Sequence, residues 1–79
     1  MDKSRFRIQF IYENEEDFGT DEIGVNVIID DKIVASYGDY YHDKGSIKAV
    51  AFIEGYCFAK EIKWGGKYES EEIADPNFI

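Results

Sequence analysis

The densest grouping of chemically able side chains is Asp39-Tyr40-Tyr41-His42-Asp43. Carboxylates flank the one histidine, and a D-x-x-H-D spacing can offer three ligands to a divalent metal. It also suits a solvated connection, and we read His42 as a surface histidine with no metal bound. A second grouping, Glu13 to Glu22, holds six acids and no base. It fails as an EF-hand: with Gly19 at loop position 6, Phe18 falls at position 5 and Val25 at position 12, where neither can ligate calcium. Cys57 sits among apolar neighbours, whereas a nucleophile needs a base and an exposed, electropositive site. Glu54 and Glu61 can share a helix face. General acid–base work needs a pocket, however, and 79 residues leave little room for one; salt bridging or oligomer contacts suit the pair better. There is no phosphate-binding loop, C-x-x-C or H-E-x-x-H. Gly65-Gly66 follows a helical pattern and stops it, where a phosphate cradle would open one. The expectation is a protein that is not an enzyme and uses no cofactor.

These residues need elements to hold them. Residues 5–12 alternate, with Phe6, Ile8, Phe10 and Tyr12 on one side and Arg5, Arg7, Gln9 and Ile11 on the other, which predicts a half-buried strand. Ile23 to Ile29 predicts a second strand, with Ile23, Val25, Val27 and Ile29 on one face. Asp30-Asp31-Lys32 suits a tight turn, and Ile33 to Tyr37 a third, shorter strand ended by Gly38. Ser46 is a plausible cap for a helix running to about Lys63, before Gly65-Gly66. Its apolar residues fall on two stripes. Ile47, Ala51, Phe58 and Ile62 make one; Val50, Ile53, Cys57 and Trp64 make the other. That arc is wider than one sheet face needs, which predicts cover from a second side: the C-terminal segment, or a second subunit against the Ile53 stripe. Lys67 to Ile79 is an acidic tail whose Tyr68, Ile73, Phe78 and Ile79 argue that it docks at least in part. The predicted architecture is a single α+β domain over 1–79: a three-stranded antiparallel sheet in β-β-β-α order, one helix packed on one face, and the tail over 67–79.

Nine lysines and arginines against seventeen acids give a formal charge of −8. A surface of that sign is unsuited to holding DNA, RNA or an anionic membrane directly. At 16% aromatic and 44% hydrophobic the chain is too apolar for a disordered acidic tail. The single cysteine excludes an internal disulfide. No apolar run approaches the roughly 20 residues of a membrane helix. No apolar signal core follows Met1-Asp2-Lys3-Ser4-Arg5, so the expected setting is cytoplasmic.

The charge is unevenly spread. Residues 13–43 hold ten acids against Lys32 alone, whereas residues 44–67 hold five lysines against Glu54 and Glu61. Acids therefore gather in the loops and the tail, while the strand and helix bodies are neutral or basic. Such gathering costs self-repulsion within a Debye length of about 8 Å, and solubility alone needs less of it. Tyrosines interleave with the acids, as rigid contact area does at interfaces. Glu15, Glu16, Asp17, Asp21, Glu22, Asp39 and Asp43 are the expected binding residues, with Tyr40 and Tyr41 as anchors.

In Glu13–Glu22, Asp39–Asp43 and Glu69–Asp75 the chain resembles the small acidic proteins that phages encode to disarm host nucleases, of anti-CRISPR and anti-restriction type. The likeness is one of charge and size. It implies an inhibitor that mimics nucleic-acid charge, a basic nucleic-acid-binding partner (a nuclease or CRISPR effector), and a bacterial host cytoplasm. The alternative expectation is a homo-oligomeric structural or accessory subunit, a homodimer through the helix.

Overall fold

A computed structural model describes residues 4–38 and 44–78. Strand β1 (Phe6–Tyr12) leads through a single 3-10 turn, Glu15–Asp17, to β2 (Gly24–Ile29) and β3 (Lys32–Gly38). Helix α1 (Lys44–Ala59) follows, and then a fourth strand, β4 (Glu69–Ala74). The sheet order is β3-β2-β1-β4. β1 pairs antiparallel with β2, β2 antiparallel with β3, and β4 runs parallel to β1. The class is α+β with one helix, as expected, but the three-stranded antiparallel sheet is corrected to a four-stranded mixed one. The acidic tail supplies the extra strand. Its register places Glu69 against Arg7 and Glu71 against Gln9, and ion pairs bind the two strands: Arg5 to Glu69 at 3.4 Å and Arg7 to Glu71 at 3.2 Å. Charge matching to β1 overrides the poor strand propensity of a glutamate-rich segment.

The alternation expected for β1 holds from Phe6 to Phe10, but Ile11, expected on the outer side of a half-buried strand, is fully buried. Phe6, Ile8 and Phe10 turn to the helix with Val25, Val27 and Ile29 opposite. The β2–β3 turn places Asp30 and Asp31 at φ 52° and 68°, the paired left-handed geometry of a two-residue type I′ hairpin. Farther along, β3 bulges: Ile33 pairs with Ile28 and Ala35 with Val27, leaving Val34 as the extra residue.

Helix α1 seats Ala49, Ile53 and Cys57, one turn apart, on β2 and β3. This reverses one expectation about its two stripes. Ile53 is fully buried in the core, so its stripe is not free for a second subunit; Ile47 and Phe58, on the other stripe, are 66% and 87% exposed. The helix also starts at Lys44 and ends at Ala59, short of the expected Lys63. The Ile62 N–H donates to the Cys57 carbonyl at 2.8 Å and the Glu61 N–H to the Phe58 carbonyl at 3.2 Å, with Glu61 at φ 58°. That is a Schellman cap with glutamate in the position glycine usually takes. It ends the helix early because Ile62 and Trp64 fold back onto the core. Trp64 packs on Phe6 at 5.8 Å between ring centroids and donates its Nε1–H to the Lys67 carbonyl at 2.8 Å.

The opposite sheet face carries a polar seam. Ser36 Oγ–H donates to Asn26 Oδ1 at 2.6 Å, and the Asn26 amide donates to Gln9 Oε1 at 2.8 Å. The buried amide is thus satisfied on both sides. No described helix is long and apolar enough to cross a membrane.

Candidate functional site: an acidic end and a groove beside the helix

The chain measures 40 × 20 × 19 Å along its principal axes. One end of the sheet collects the carboxyl end of β1, the β1–β2 loop, the start of β2 and the carboxyl ends of β3 and β4. No lysine or arginine occurs from Ile8 to Asp31 or from Tyr68 to Ile79. Acids from two distant stretches of chain therefore meet here without a counter-charge from either. The other end holds Arg5 and Arg7, engaged by Asp31, Glu69 and Glu71.

The loop that bears the expected acids is folded back on itself. Its 3-10 turn is closed by the Asp17 N–H to the Asn14 carbonyl at 3.0 Å, and Thr20 Oγ1–H donates to the Asp17 carbonyl at 2.6 Å. Phe18 fastens it to Tyr12, with ring centroids 5.2 Å apart. The loop is wound by its own backbone hydrogen bonds and packs on Tyr12 through Phe18, which fixes the backbone positions from which its carboxylates project. Glu15, Glu16 and Asp21 are exposed and Asp17 is half-buried. Glu22 departs from the others: it is only 8% exposed, and it lies inside the end instead of on its surface. Asp39, Tyr40, Tyr41 and Asp43, with His42, lie outside the described residues. The residues that flank them are anchored at this same end, since Gly38 pairs with Gly24 and Ser46 of α1 lies near Tyr12.

Behind the loop is a cleft of about 390 Å³. Phe10, Tyr12, Ser70 and Glu72 form its floor, with Glu22 and Ser46 at the sides. It exists because α1 lies over β2 and β3 and leaves the β1–β4 half of this sheet face uncovered. The Tyr12 hydroxyl donates to Glu72 Oε2 at 3.2 Å. Burial pushes the Tyr12 phenol above the usual tyrosine value; the Gly19 N–H opposes the rise, and the charges of Glu72 and Glu22 add to it. Burial likewise raises the Cys57 thiol, which leaves it a core side chain poorly suited to nucleophilic work. Among the described residues no group of three or more histidines, cysteines, aspartates or glutamates is arranged to hold a metal ion.

Sequence reasoning missed Glu72 and Tyr12 as partners. Parallel pairing across sixty residues leaves no local signal. Read locally, Tyr12 belongs to the first strand and Glu72 to the acidic tail, and nothing in either segment joins them. No protein-family model, no curated protein and no solved structure matches the chain.

Proposed function

We propose that this chain is a non-enzymatic acidic binding protein that inhibits a nucleic-acid-handling protein, a nuclease or CRISPR effector, by presenting carboxylates to its phosphate-binding cleft. The observation that carries the reading is the acid-rich end of the fold: an ordered loop with Glu15, Glu16 and Asp21 exposed, backed by Glu22 and Glu72, with no lysine or arginine in the β1–β2 loop or β4; the exposed Lys48 lies beyond Ser46 on α1. A folded loop loses little backbone freedom on docking, and an acid-rich surface steers encounter with a cationic groove. Asp39, Tyr40, Tyr41 and Asp43 extend the proposed contact set.

The test is competition with duplex DNA or guide RNA for a purified nuclease over a salt series. The wild-type chain should compete at low salt and lose potency steeply as salt rises. The combined Glu15→Gln, Glu16→Gln, Asp17→Asn and Asp21→Asn variant should lose most of it. Retained potency in that variant, or indifference to salt, sinks the reading.

A second reading, a homo-oligomeric accessory subunit, rests on the exposed helix stripe. Ile47 and Phe58 are large apolar side chains in the open, and such residues in a patch mark association surfaces. Light scattering separates the two readings.

A further inference from the structure

The cleft behind the acidic loop does not end at the helix N-terminus. It shares Ser46 and Tyr68 with a second depression lined by Ile47, Val50, Ala51 and Glu54, and this in turn shares Glu54 with a third, lined by Phe58, Ile62 and Trp64. Together they form one groove along the flank of α1 that faces β4. From Ser46 to Phe58 the helix rises about 18 Å, so the groove is three to four turns long. Ile47, Ala51 and Phe58 form an apolar ridge on its wall. Three carboxylates border it, Glu22 and Glu72 at one end and Glu54 midway.

We propose that this groove is a docking site for a basic amphipathic helix on the protein partner. The inference rests on the reading above, in which that partner is cationic, and names the element that lies beside the acidic loop. Two features select a helix. The floor is made of side chains on the sheet face, Phe10 and Tyr12 of β1 with Tyr68, while the free edge on this side of the sheet is the outer side of β4, so an extended peptide lying over β1 gains no ladder hydrogen bonds there. The wall is a ridge of helix positions, which a second helix packs by interdigitation at an interaxial distance of about 8–10 Å. Charge selects the basic face: an apolar stripe sits against the ridge while flanking lysines or arginines meet the exposed Glu54 and Glu72. Charge also disfavours a second copy of this chain. Glu54 lies in the middle of the stripe, so two antiparallel copies bring their Glu54 side chains together, and each chain already carries −8.

Trp64, the one tryptophan, lines the groove and reports its occupancy. The probe is a synthetic helical peptide free of tryptophan and tyrosine, with leucines at i, i+3, i+4 and i+7 and lysine or arginine elsewhere. Its control is a scrambled peptide of identical composition. The patterned peptide should shift Trp64 emission and bind about tenfold or more tighter than the scrambled one. Both Glu54→Lys and the combined Ile47→Ser and Phe58→Ser variant should lose about tenfold, while their thermal unfolding stays near wild type because these residues are exposed. Equal binding of the two peptides overturns the proposal. So does a dimer by light scattering that the Ile47→Ser and Phe58→Ser variant dissolves, since the groove then belongs to a second copy. The four-residue loop variant, carried through the same assays, should keep the patterned peptide's binding and lose nuclease competition. The peptide arm can therefore fail while the competition arm stands.

Discussion

Phe78 lies against Gly24, so close that a β-carbon on Gly24 would collide with the edge of the ring at Cε2. The contact joins the last described residue to the start of the central strand. The chain reaches it through a turn after β4, in which the Asp75 N–H donates to the Tyr12 carbonyl at 2.7 Å and the Phe78 N–H to the Asp75 carbonyl at 3.1 Å. Gly24 has no positive φ, so without Phe78 an alanine there would be neutral or mildly stabilising. With it, Gly24→Ala should cost about 1–3 kcal/mol through overpacking. Adding Phe78→Ala should recover part of that loss. Urea unfolding of the two single variants and the double variant measures the coupling, and an additive cycle refutes the docking of the C-terminal turn.

Glu61 holds the left-handed position of the helix cap, which costs an L-residue with a β-carbon about 1–2 kcal/mol. Glycine is free of that cost but loses more backbone entropy on folding. Glu61→Gly should therefore stabilise the fold by about 0.5–1 kcal/mol, with α1 ending at the same residue. A rise in denaturation midpoint at unchanged slope checks it, and a fall contradicts the cap geometry.

Tyr12 ties stability to alkaline pH. Its folded-state pKa lies above the ordinary 10.0, burial being the largest cause. The unfolded phenol therefore loses its proton first. The stabilisation is full below pH 10, declines once the unfolded phenol ionises and is lost as pH rises through the folded value. Tyr12→Phe should flatten that decline and remove a late step from the alkaline absorbance titration. At neutral pH it also deletes the hydrogen bond to Glu72, at about 0.5–1.5 kcal/mol. A wild-type stability that stays level above pH 10 would refute the burial of this hydroxyl.

What could be read from the residues was local. The period of two in Phe6-Ile8-Phe10 and in Val25-Val27-Ile29, the Asp30-Asp31 turn and the helical spacing of Val50, Ile53 and Cys57 are short-range patterns, and all are present in the fold. The departures arise where distant segments decide. Glu69–Ala74 lacks any apolar alternation, and it pairs with β1, where Arg5 and Arg7, more than sixty residues away, neutralise part of its charge. Both helix stripes carry similar apolar side chains. Which one meets the sheet depends on where the capped end drops Ile62 and Trp64, and periodicity does not encode that. In the candidate site, exposed Glu15, Glu16 and Asp21 behave as their composition suggests. Glu22 does not, because β2 begins two residues later and draws it under the loop.

Arg7 gives the clearest test of how the acidic strand is retained. Its guanidinium lies 3.2 Å from both Asp31 and Glu71 and 4.0 Å from Glu69, and its side chain is 27% exposed. Single exposed ion pairs contribute only about 0–1 kcal/mol. Here one cation is shared by three carboxylates, so its removal also leaves like charges facing one another across β1, β4 and the hairpin turn. Arg7→Gln keeps the length of the side chain and deletes the charge. It should destabilise the fold by about 1 kcal/mol at low salt, and the difference should shrink as added salt screens the exposed acids. The effect should concentrate in β4, an edge strand paired only with β1. Amide exchange in 69–74 should quicken more than in β2, which is central and buried throughout. Equal acceleration in both strands would mean that Arg7 supports the whole core, and the charge-matched attachment of β4 would be refuted.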